Sequence, residues 1–255
     1  TTTAAPSATA APSPSATEAA PTTTVTTEAP AAVTFTGADG VESTIADTSR
    51  IVSLNGDITE IIFELGLGAR VVAVDVTTTH PPETEALPQV GFGQQLAAEP
   101  VLAFEPTVVI GDQLIVPRES LQQLRDTGVP VAIIETRTSI DDVEQRIMDV
   151  ATVLGVPDAG RELADRVNGE IAEARALAAE ATSSRSAAFV YSRGPQQLFL
   201  FGQGNITQSL IESANAVDTI SASGIAGVIP LTPEALALAA PDVIIVPASG
   251  GGALG

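Results

Sequence analysis

Three polar residues have side chains that could bind a metal ion or an anionic group. His80 is the one histidine and Tyr191 the one tyrosine of the chain, and Arg193 follows Tyr191 by two positions. If the strand that carries Tyr191 continues, Arg193 lies on the same face of it. A nearby cation favours the phenolate form of tyrosine, and a phenolate is an axial ligand for ferric haem. Arg193 could equally pair with a propionate.

Both unique residues also have an ordinary structural interpretation. A lone histidine in a Pro-rich loop is usually a surface residue, and a lone tyrosine at a strand end usually packs half-buried. His80, however, follows a predicted strand in the first half of the chain, and Tyr191 ends a predicted strand in the second half. Ligands of open α/β sheets bind outside the carboxyl ends of the strands. We therefore expect the two residues on opposite walls of a shared cleft.

Strands and helices alternate from Arg50 onward, which predicts mostly parallel sheets with helical crossovers. Short apolar runs predict strands at residues 51–54, 71–74, 108–110, 131–134, 187–191, 198–201 and 243–246. Apolar residues at helical spacing predict helices after the caps Asn55 and Ser139, over 117–127, over 158–182 and from Ile206.

Two segments share one pattern, in which a Glu opens a short helix, a Pro lies seven residues later and an apolar strand follows. The first segment runs from Glu99 to Ile110 and the second from Glu234 to Ile245. Such a repeat predicts two copies of one α/β unit, one on each side of the 158–182 helix. Counterparts of residues 111–154 are missing after Val246, so we expect an incomplete second copy.

The fold class is therefore α/β, with two similar lobes joined by one long helix and a ligand cleft between them. Residues 1–45 are dominated by Thr, Ala, Pro and Ser and are interpreted as a disordered, stalk-like tether. Residues 46–157 form the N-terminal lobe, 158–182 the linking helix and 183–255 the incomplete C-terminal lobe. A continuous linking helix resists hinge bending, so we expect little motion of the lobes on binding.

Composition argues against several classes of protein. The 11 basic residues, all of them Arg, face 31 acidic residues, so no broad basic surface is available for nucleic acid. The absence of Cys excludes disulfides, thiolate metal sites and thiol nucleophiles. No nucleophile elbow or phosphate loop occurs, and Gly202-x-Gly204 lacks the third glycine of a dinucleotide fingerprint. These observations argue against an enzyme.

The sequence resembles the helical-backbone class of ABC-importer substrate-binding proteins, which includes receptors for haem, cobalamin and ferric siderophores. The resemblance covers residues 50 to 247 and rests on the Arg-Ile-Val-Ser-Leu opening at 50–54, the stretch 65–74 and the paired Glu and Pro segments. Within that class, Phe189-Val-Tyr-Ser-Arg-Gly194 and Leu198-Phe-Leu-Phe-Gly202 are most similar to haemin receptors of Gram-positive importers.

The resemblance implies that Tyr191 is an axial ligand of haem iron and that Arg193 supports it. His80 is the matching residue for a second axial ligand. Some haemin receptors carry an axial histidine a little later, near residues 90–94, and this chain has none there. The chain therefore departs from those receptors at the second axial position, where His80 is the histidine that it offers.

The resemblance also implies two further groups of residues. Phe92, Phe199 and Phe201 are expected to pack against the ligand in the cleft. Glu99 and Glu234 match the acids that dock onto Arg residues of the permease; otherwise they are ordinary acids in the first turn of a helix.

The function that follows is delivery of haem to an ABC permease and its ATPase for iron acquisition. The protein is expected to be a monomer, held at the outer face of the cytoplasmic membrane by a lipid anchor or located in the periplasm. Three alternatives stay open: a ferric-siderophore receptor, which would call for several cleft arginines; a cobalamin receptor, which would favour an aromatic-rich cleft; and a surface adhesion module, for which the paired acids have no purpose.

Overall fold

The computed structural model of the chain describes residues 32–192 and 197–247. The strands β1 to β11 span, in order, Val33–Thr36, Glu42–Ile45, Ile51–Ser53, Val71–Val74, Val108–Asp112, Val131–Ile134, Ser186–Ser192, Leu198–Phe201, Val217–Asp218, Val228–Pro230 and Val243–Ile245. The helices α1 to α8 span Gly56–Glu64, Ala98–Leu102, Arg118–Asp126, Val143–Val153, Pro157–Ala179, Ile206–Ser213, Thr219–Ala222 and Pro233–Ala239. In the part of the chain described, no helix is long and apolar enough to cross a membrane.

Four parallel strands form the sheet of the N-terminal lobe, in the order β4-β3-β5-β6. All residues of β3, β5 and β6 are buried. Such continuous apolar runs are typical of a parallel sheet that is covered on both faces. The strands predicted at 71–74 and 131–134 are confirmed at the same bounds.

Helices cover both faces of this sheet and create two cores. On one face, α1 and α4 contribute Ile58, Ile62 and Val150 to the first core. On the other face, α3 contributes Leu121 and Leu124 to the second core. This arrangement leaves the carboxyl ends of the strands as the edge of the sheet where polar side chains collect.

The predicted helix caps are confirmed. The side-chain oxygen of Asn55 accepts a hydrogen bond from the backbone N–H of Asp57 at 3.0 Å. The hydroxyl of Ser139 accepts one from the N–H of Asp141 at 3.2 Å, at the start of a short 3₁₀ turn that leads into α4. Each bond satisfies an N–H group that the helix itself leaves without a partner.

A β-hairpin occupies residues that were predicted to belong to the tether. β1 and β2 pair antiparallel from Val33↔Ile45 to Thr36↔Glu42. Ile45 is buried in the first core, where Phe35 packs against it, and the hydroxyl of Ser43 donates to the carbonyl of Val131 at 2.9 Å. The prediction of a tether up to residue 45 is therefore wrong for residues 33–45, because apolar residues alternate there with Thr and bury one face. Residues 1–31 lie outside the described residues.

The two lobes are joined by the 23-residue helix α5, as predicted, and it begins one residue earlier and ends three residues sooner than expected. Pro157 occupies its first turn, a position where its missing N–H costs nothing. Near its start, α5 packs against α4 through Leu163, Ala164 and Ile147.

The sheet of the C-terminal lobe is mixed, in the order β10-β8-β7-β11, with β9 beside the start of β7. β11 and β9 pair parallel with β7, whereas β8 and β10 are antiparallel additions. The expectation of mostly parallel sheets thus holds for the first lobe and not for the second. Only five residues separate β7 from β8, and a parallel return needs a crossover of about a dozen or more.

The internal repeat is present in the structure. In the first lobe, α2 leads into β5, which pairs parallel with β3. In the second lobe, α8 leads into β11, which pairs parallel with β7. The two Glu and Pro segments therefore have the same place in their lobes, and the two-lobed α/β architecture is confirmed.

Candidate functional site

Polar side chains collect at the carboxyl edge of the first sheet. Asn55 follows β3, Asp75 follows β4 and Asp112 ends β5. Together with Thr77 and Phe92 they line a small cavity of about 70 Å³. This edge is where open α/β sheets bind ligands, so we take it as the N-terminal wall of the candidate site.

Two buried carboxylates, those of Asp75 and Asp112, line the cavity in this wall. Asp112 accepts hydrogen bonds from Asn55 Nδ2 at 2.5 Å and from the N–H of Leu114 at 2.9 Å. Asp75 accepts from the hydroxyl of Thr77, which lies 2.8 Å from both carboxylate oxygens, and from the hydroxyl of Thr78 at 3.1 Å. Every one of these partners can donate, which suits the ionised form of both acids.

Burial raises the pKa of both acids above the ordinary value for Asp. For Asp75 the desolvation outweighs the hydrogen bonds from Thr77 and Thr78, which lower the pKa. For Asp112 it outweighs the hydrogen bond from the Leu114 N–H and the charge of Arg146. The ionised acids thus carry a desolvation cost that their partners only partly offset.

Arg146 of α4 supplies the neighbouring positive charge. Its guanidinium bonds both carboxylate oxygens of Asp57, at 2.9 and 3.0 Å, and donates to the carbonyl of Glu135 at 2.6 Å. It also lies 3.7 Å from Asp112. Arg146 therefore lies beside two acids, Asp57 and Asp112, and its bonds to Asp57 hold α4 against the start of α1.

Apolar side chains surround the acids at the surface of the N-terminal wall. Leu114 is 54% exposed, and Val76 and Val116 are also exposed. The loop that carries half-buried Phe92 lies between the two valines, because Val76 N–H donates to Gly91 O and Val116 N–H to Gly93 O, both at 3.0 Å. The N-terminal wall thus exposes aliphatic side chains, and the two acids beside them are buried.

The C-terminal wall is an aromatic sheet face. Antiparallel partners project on the same side of a sheet, and Tyr191 pairs with Phe199. The rings of Tyr191 and Phe201 meet edge to face with centroids 6.0 Å apart, and those of Phe189 and Phe201 do so at 5.4 Å. These four residues are all partly exposed, whereas the intervening Val190 and Leu200 lie in the core of the lobe.

Aliphatic residues extend the aromatic face on both sides. Val228 of β10 pairs with Phe201 and is 49% exposed, and Ile245 of β11 pairs with Phe189 and is 40% exposed. Tyr191 lies near the carboxyl end of β7, the end at which a two-lobed α/β protein binds its ligand. The face suits a large, flat and mostly apolar ligand that also needs an oxygen donor.

The structure brings together some of the predicted site residues and not others. Tyr191, Phe199 and Phe201 share the C-terminal wall, and Phe92 lies on the N-terminal wall. His80 is exposed, in the loop after β4, and it does not line the cavity beside Phe92. Arg193 lies outside the described residues.

Glu99 and Glu234 have equivalent places in the two lobes. Both are exposed and both lie in the first turn of a short helix, α2 and α8 respectively. Neither carboxylate takes part in a salt bridge between residues that the structure describes.

Several residues of the site escaped the sequence analysis. Phe189 precedes Tyr191 by two positions, so the period of a strand was a signal that could have placed it on the same face. Asp75 and Asp112 directly follow or end apolar strands, which marks the carboxyl edge of a sheet. For Leu114 and Val116 no signal existed, since nothing in the sequence says that an apolar residue will stay exposed.

Comparison with known proteins gives a consistent picture. The family profile described as periplasmic binding protein matches residues 51–253. Among curated proteins, the vitamin B12-binding protein of Pectobacterium carotovorum subsp. carotovorum (strain PC1) is 26% identical over 174 residues, or 68% of this chain. The match spans 62% of the length of that relative.

Solved structures of haem-binding proteins have the same fold. The periplasmic heme-binding protein RhuT from Roseiflexus sp. RS-1, in apo form, is 43% identical with a TM-score of 0.77; the match covers 82% of this chain and 80% of RhuT. The heme-binding protein HmuT is 34% identical with a TM-score of 0.82, covering 88% of this chain and 74% of HmuT. Other HmuT structures have a tyrosine, an arginine two positions after it, or a histidine replaced by alanine.

Proposed function

Since this chain belongs to the periplasmic binding protein family, we propose that it is an extracytoplasmic receptor that captures haem and delivers it to an ABC importer for iron acquisition. The family and the neighbouring structures are binding proteins of transport systems and not enzymes. The proposal concerns the ligand, the residues that hold it and the partners.

One observation carries the choice of haem. The C-terminal wall combines a single tyrosine with three phenylalanine rings on one sheet face, and the N-terminal wall offers exposed Leu114 beside Val76 and Val116. Haem has a flat apolar macrocycle whose iron takes an axial oxygen ligand, so these two surfaces match its chemistry. The removal of apolar surface from water would supply most of the affinity.

Tyr191 is the proposed axial ligand, because a phenolate oxygen is a harder and more negatively charged donor for ferric iron than the imidazole nitrogen of His80. Arg193 is proposed to favour the phenolate by its charge or to pair with a propionate. The structures of HmuT variants support this pairing, since they concern a tyrosine and an arginine with the same spacing of two positions. Phe92, Phe199 and Phe201 are proposed to pack on the macrocycle.

His80 is proposed as a second axial ligand from the opposite lobe. It is exposed and belongs to the loop after the edge strand β4, so its imidazole is accessible from the carboxyl edge of the first sheet. The absorption spectrum of the bound haem distinguishes one protein ligand from two.

The proposed partners are an ABC permease and its ATPase. Glu99 and Glu234 support this proposal, because they are exposed acids at equivalent places in the two lobes and can reach two sites on one partner. We further propose a monomer that is tethered at the outer face of the cytoplasmic membrane through its Thr, Ala, Pro and Ser-rich N-terminal segment, or that is located in the periplasm.

Cobalamin is the second candidate ligand, favoured by the similarity to the vitamin B12-binding protein of Pectobacterium. The aromatic face of the second lobe also suits a cobalamin, and the feature that favours haem over it is the phenol of Tyr191, a possible axial ligand for ferric iron. The two ligands absorb at different wavelengths and can be compared in one assay.

The test is a visible absorption titration of the purified chain with ferric haem, in parallel with cyanocobalamin. We expect a saturable one-to-one shift of the haem band that Tyr191→Phe abolishes, and a changed spectrum with His80→Ala. Circular dichroism checks that each variant is folded. A folded wild-type chain that gives no saturable shift with haem refutes the proposal, and a shift with cyanocobalamin alone would make cobalamin the ligand.

A further inference from the structure

The two lobes touch through a hydrogen-bonded contact that is separate from both walls of the site. Ser209 lies on α6 of the C-terminal lobe. Its hydroxyl accepts a hydrogen bond from the backbone N–H of Ile140 at 2.9 Å and lies 3.3 Å from the hydroxyl of Ser139. Ile140 and Ser139 belong to the N-terminal lobe, at the start of the 3₁₀ turn before α4. Ser209 therefore satisfies an N–H at a helix start in the other lobe.

The linking helix adds a second bond at the same place. Arg175 of α5 makes a salt bridge with Asp141 of the N-terminal lobe at 2.8 Å and donates to the hydroxyl of Ser213 in the C-terminal lobe at 3.0 Å. Arg175 is 41% exposed, so water screens its ion pair and leaves it a small effect. We call this contact the interlobe latch, and it consists of Ser139, Ile140, Asp141, Arg175, Ser209 and Ser213.

Few side chains pack around the interlobe latch. A polar cavity of about 610 Å³ adjoins it, lined among others by Thr138, Asn205 and Glu212. A second, mostly apolar cavity of about 350 Å³ lies along α5, between Ile140 and Leu210. Within the described residues the chain crosses between the lobes once, at α5. Because cavities flank the contact, the angle between the lobes depends on α5 and on these few bonds.

We propose that Ser209 is a positioning residue, which through the interlobe latch holds the lobes at the angle that sets the spacing of the two walls of the ligand site. A ligand that contacts both walls binds only those molecules whose lobes stand at the right angle. The apparent affinity therefore falls as the fraction of molecules with that angle falls. The effect on affinity rests on the haem function proposed above. The effect on the angle between the lobes does not.

The discriminating variants differ in whether residue 209 keeps a hydroxyl. Ser209→Ala removes the acceptor for the Ile140 N–H, whereas Ser209→Thr keeps a hydroxyl at the same atom. Gln208→Ala is the matched control on the same helix, because the side chain of Gln208 bonds Glu212 of that helix and, among the described residues, none of the N-terminal lobe. None of these residues belongs to either wall.

The angle between the lobes is measured from the distance between two spin labels. The chain has no Cys, so labels can be attached at Gln122→Cys on α3 and Ala222→Cys on α7, both exposed. We expect Ser209→Ala to broaden the distribution of distances in the absence of ligand. Ser209→Thr and Gln208→Ala should leave the distribution unchanged.

Affinity is measured by the haem titration on the same proteins. We expect Ser209→Ala to weaken haem binding about two- to tenfold, the effect of losing about one hydrogen bond from the competent state, and Ser209→Thr to restore it. An unchanged distance distribution in Ser209→Ala overturns the proposal, and so does a broadened one without loss of affinity. If the wild-type chain binds no haem, the haem proposal fails, while the distance measurement still decides whether the latch sets the angle.

Discussion

Arg146 offers a test of the electrostatics beneath the candidate site. Its side chain is 9% exposed and Asp112 is 4% exposed, so replacement of Arg146 by Met leaves a buried carboxylate without its counter-charge, 3.7 Å away. Loss of one partner of a buried pair typically costs about 3–5 kcal/mol. Asp57, the other partner, is 54% exposed and adds little. We therefore expect Arg146→Met to lower the free energy of unfolding by about 3–5 kcal/mol near pH 7.5.

The loss of stability in Arg146→Met should depend on pH through the pKa of Asp112. Burial raises the pKa of Asp112 in the folded chain and the charge of Arg146 opposes that rise, so the variant has a still higher folded pKa. Between the ordinary Asp pKa and the raised value, the folded state binds more protons than the unfolded state, and stability falls as pH rises. Asp75 and Asp112 give the wild type the same trend. The deficit of the variant should thus be largest at neutral pH and shrink toward pH about 4, near the unperturbed Asp value.

Urea unfolding followed by far-ultraviolet circular dichroism, at acidic and at neutral pH, measures this difference. Arg166→Met is the matched control: Arg166 is 51% exposed and pairs with Glu64 and Glu170 at the surface, so its loss should leave the free energy of unfolding nearly unchanged. Equal losses in the two variants, or a deficit for Arg146→Met that is the same at both pH values, would refute the role assigned to Arg146.

Two further predictions concern the docking acids and the packing of α5. Glu99→Lys with Glu234→Lys should lower haem uptake through the reconstituted importer and leave haem affinity unchanged, and equal transport by the double variant and the wild type would remove the acids from the docking surface. Gly160→Ala should destabilise the chain by about 1–3 kcal/mol in thermal unfolding, because the new methyl group would overlap the Ala151 side chain of α4. Gly169→Ala, on the same helix with open space around it, should instead be neutral or stabilising by up to about 1 kcal/mol.

The local elements of this protein could be predicted from its sequence. The strands at 71–74 and 131–134, the caps Asn55 and Ser139, and the long helix between the lobes all depend on neighbouring residues, whose spacing and side-chain chemistry are visible along the chain. The repeat of Glu99 and Glu234 was also visible, since both stand in the same helix-to-strand unit. The hairpin at Val33–Ile45 was hidden by the Thr, Ala and Pro-rich composition that surrounds it.

What only the tertiary structure decided is how distant segments meet. The burial of Asp75 and Asp112, the approach of Asp112 to Arg146 and the contact of Ser209 with Ile140 all depend on residues far apart in sequence. The antiparallel pairing of β8 turned Phe199 and Phe201 to the same side as Tyr191. Periodicity says which residues share one face of one strand or helix. The partner of that face is selected by the summed burial and hydrogen bonding of the whole chain, and that sum is a property of the fold.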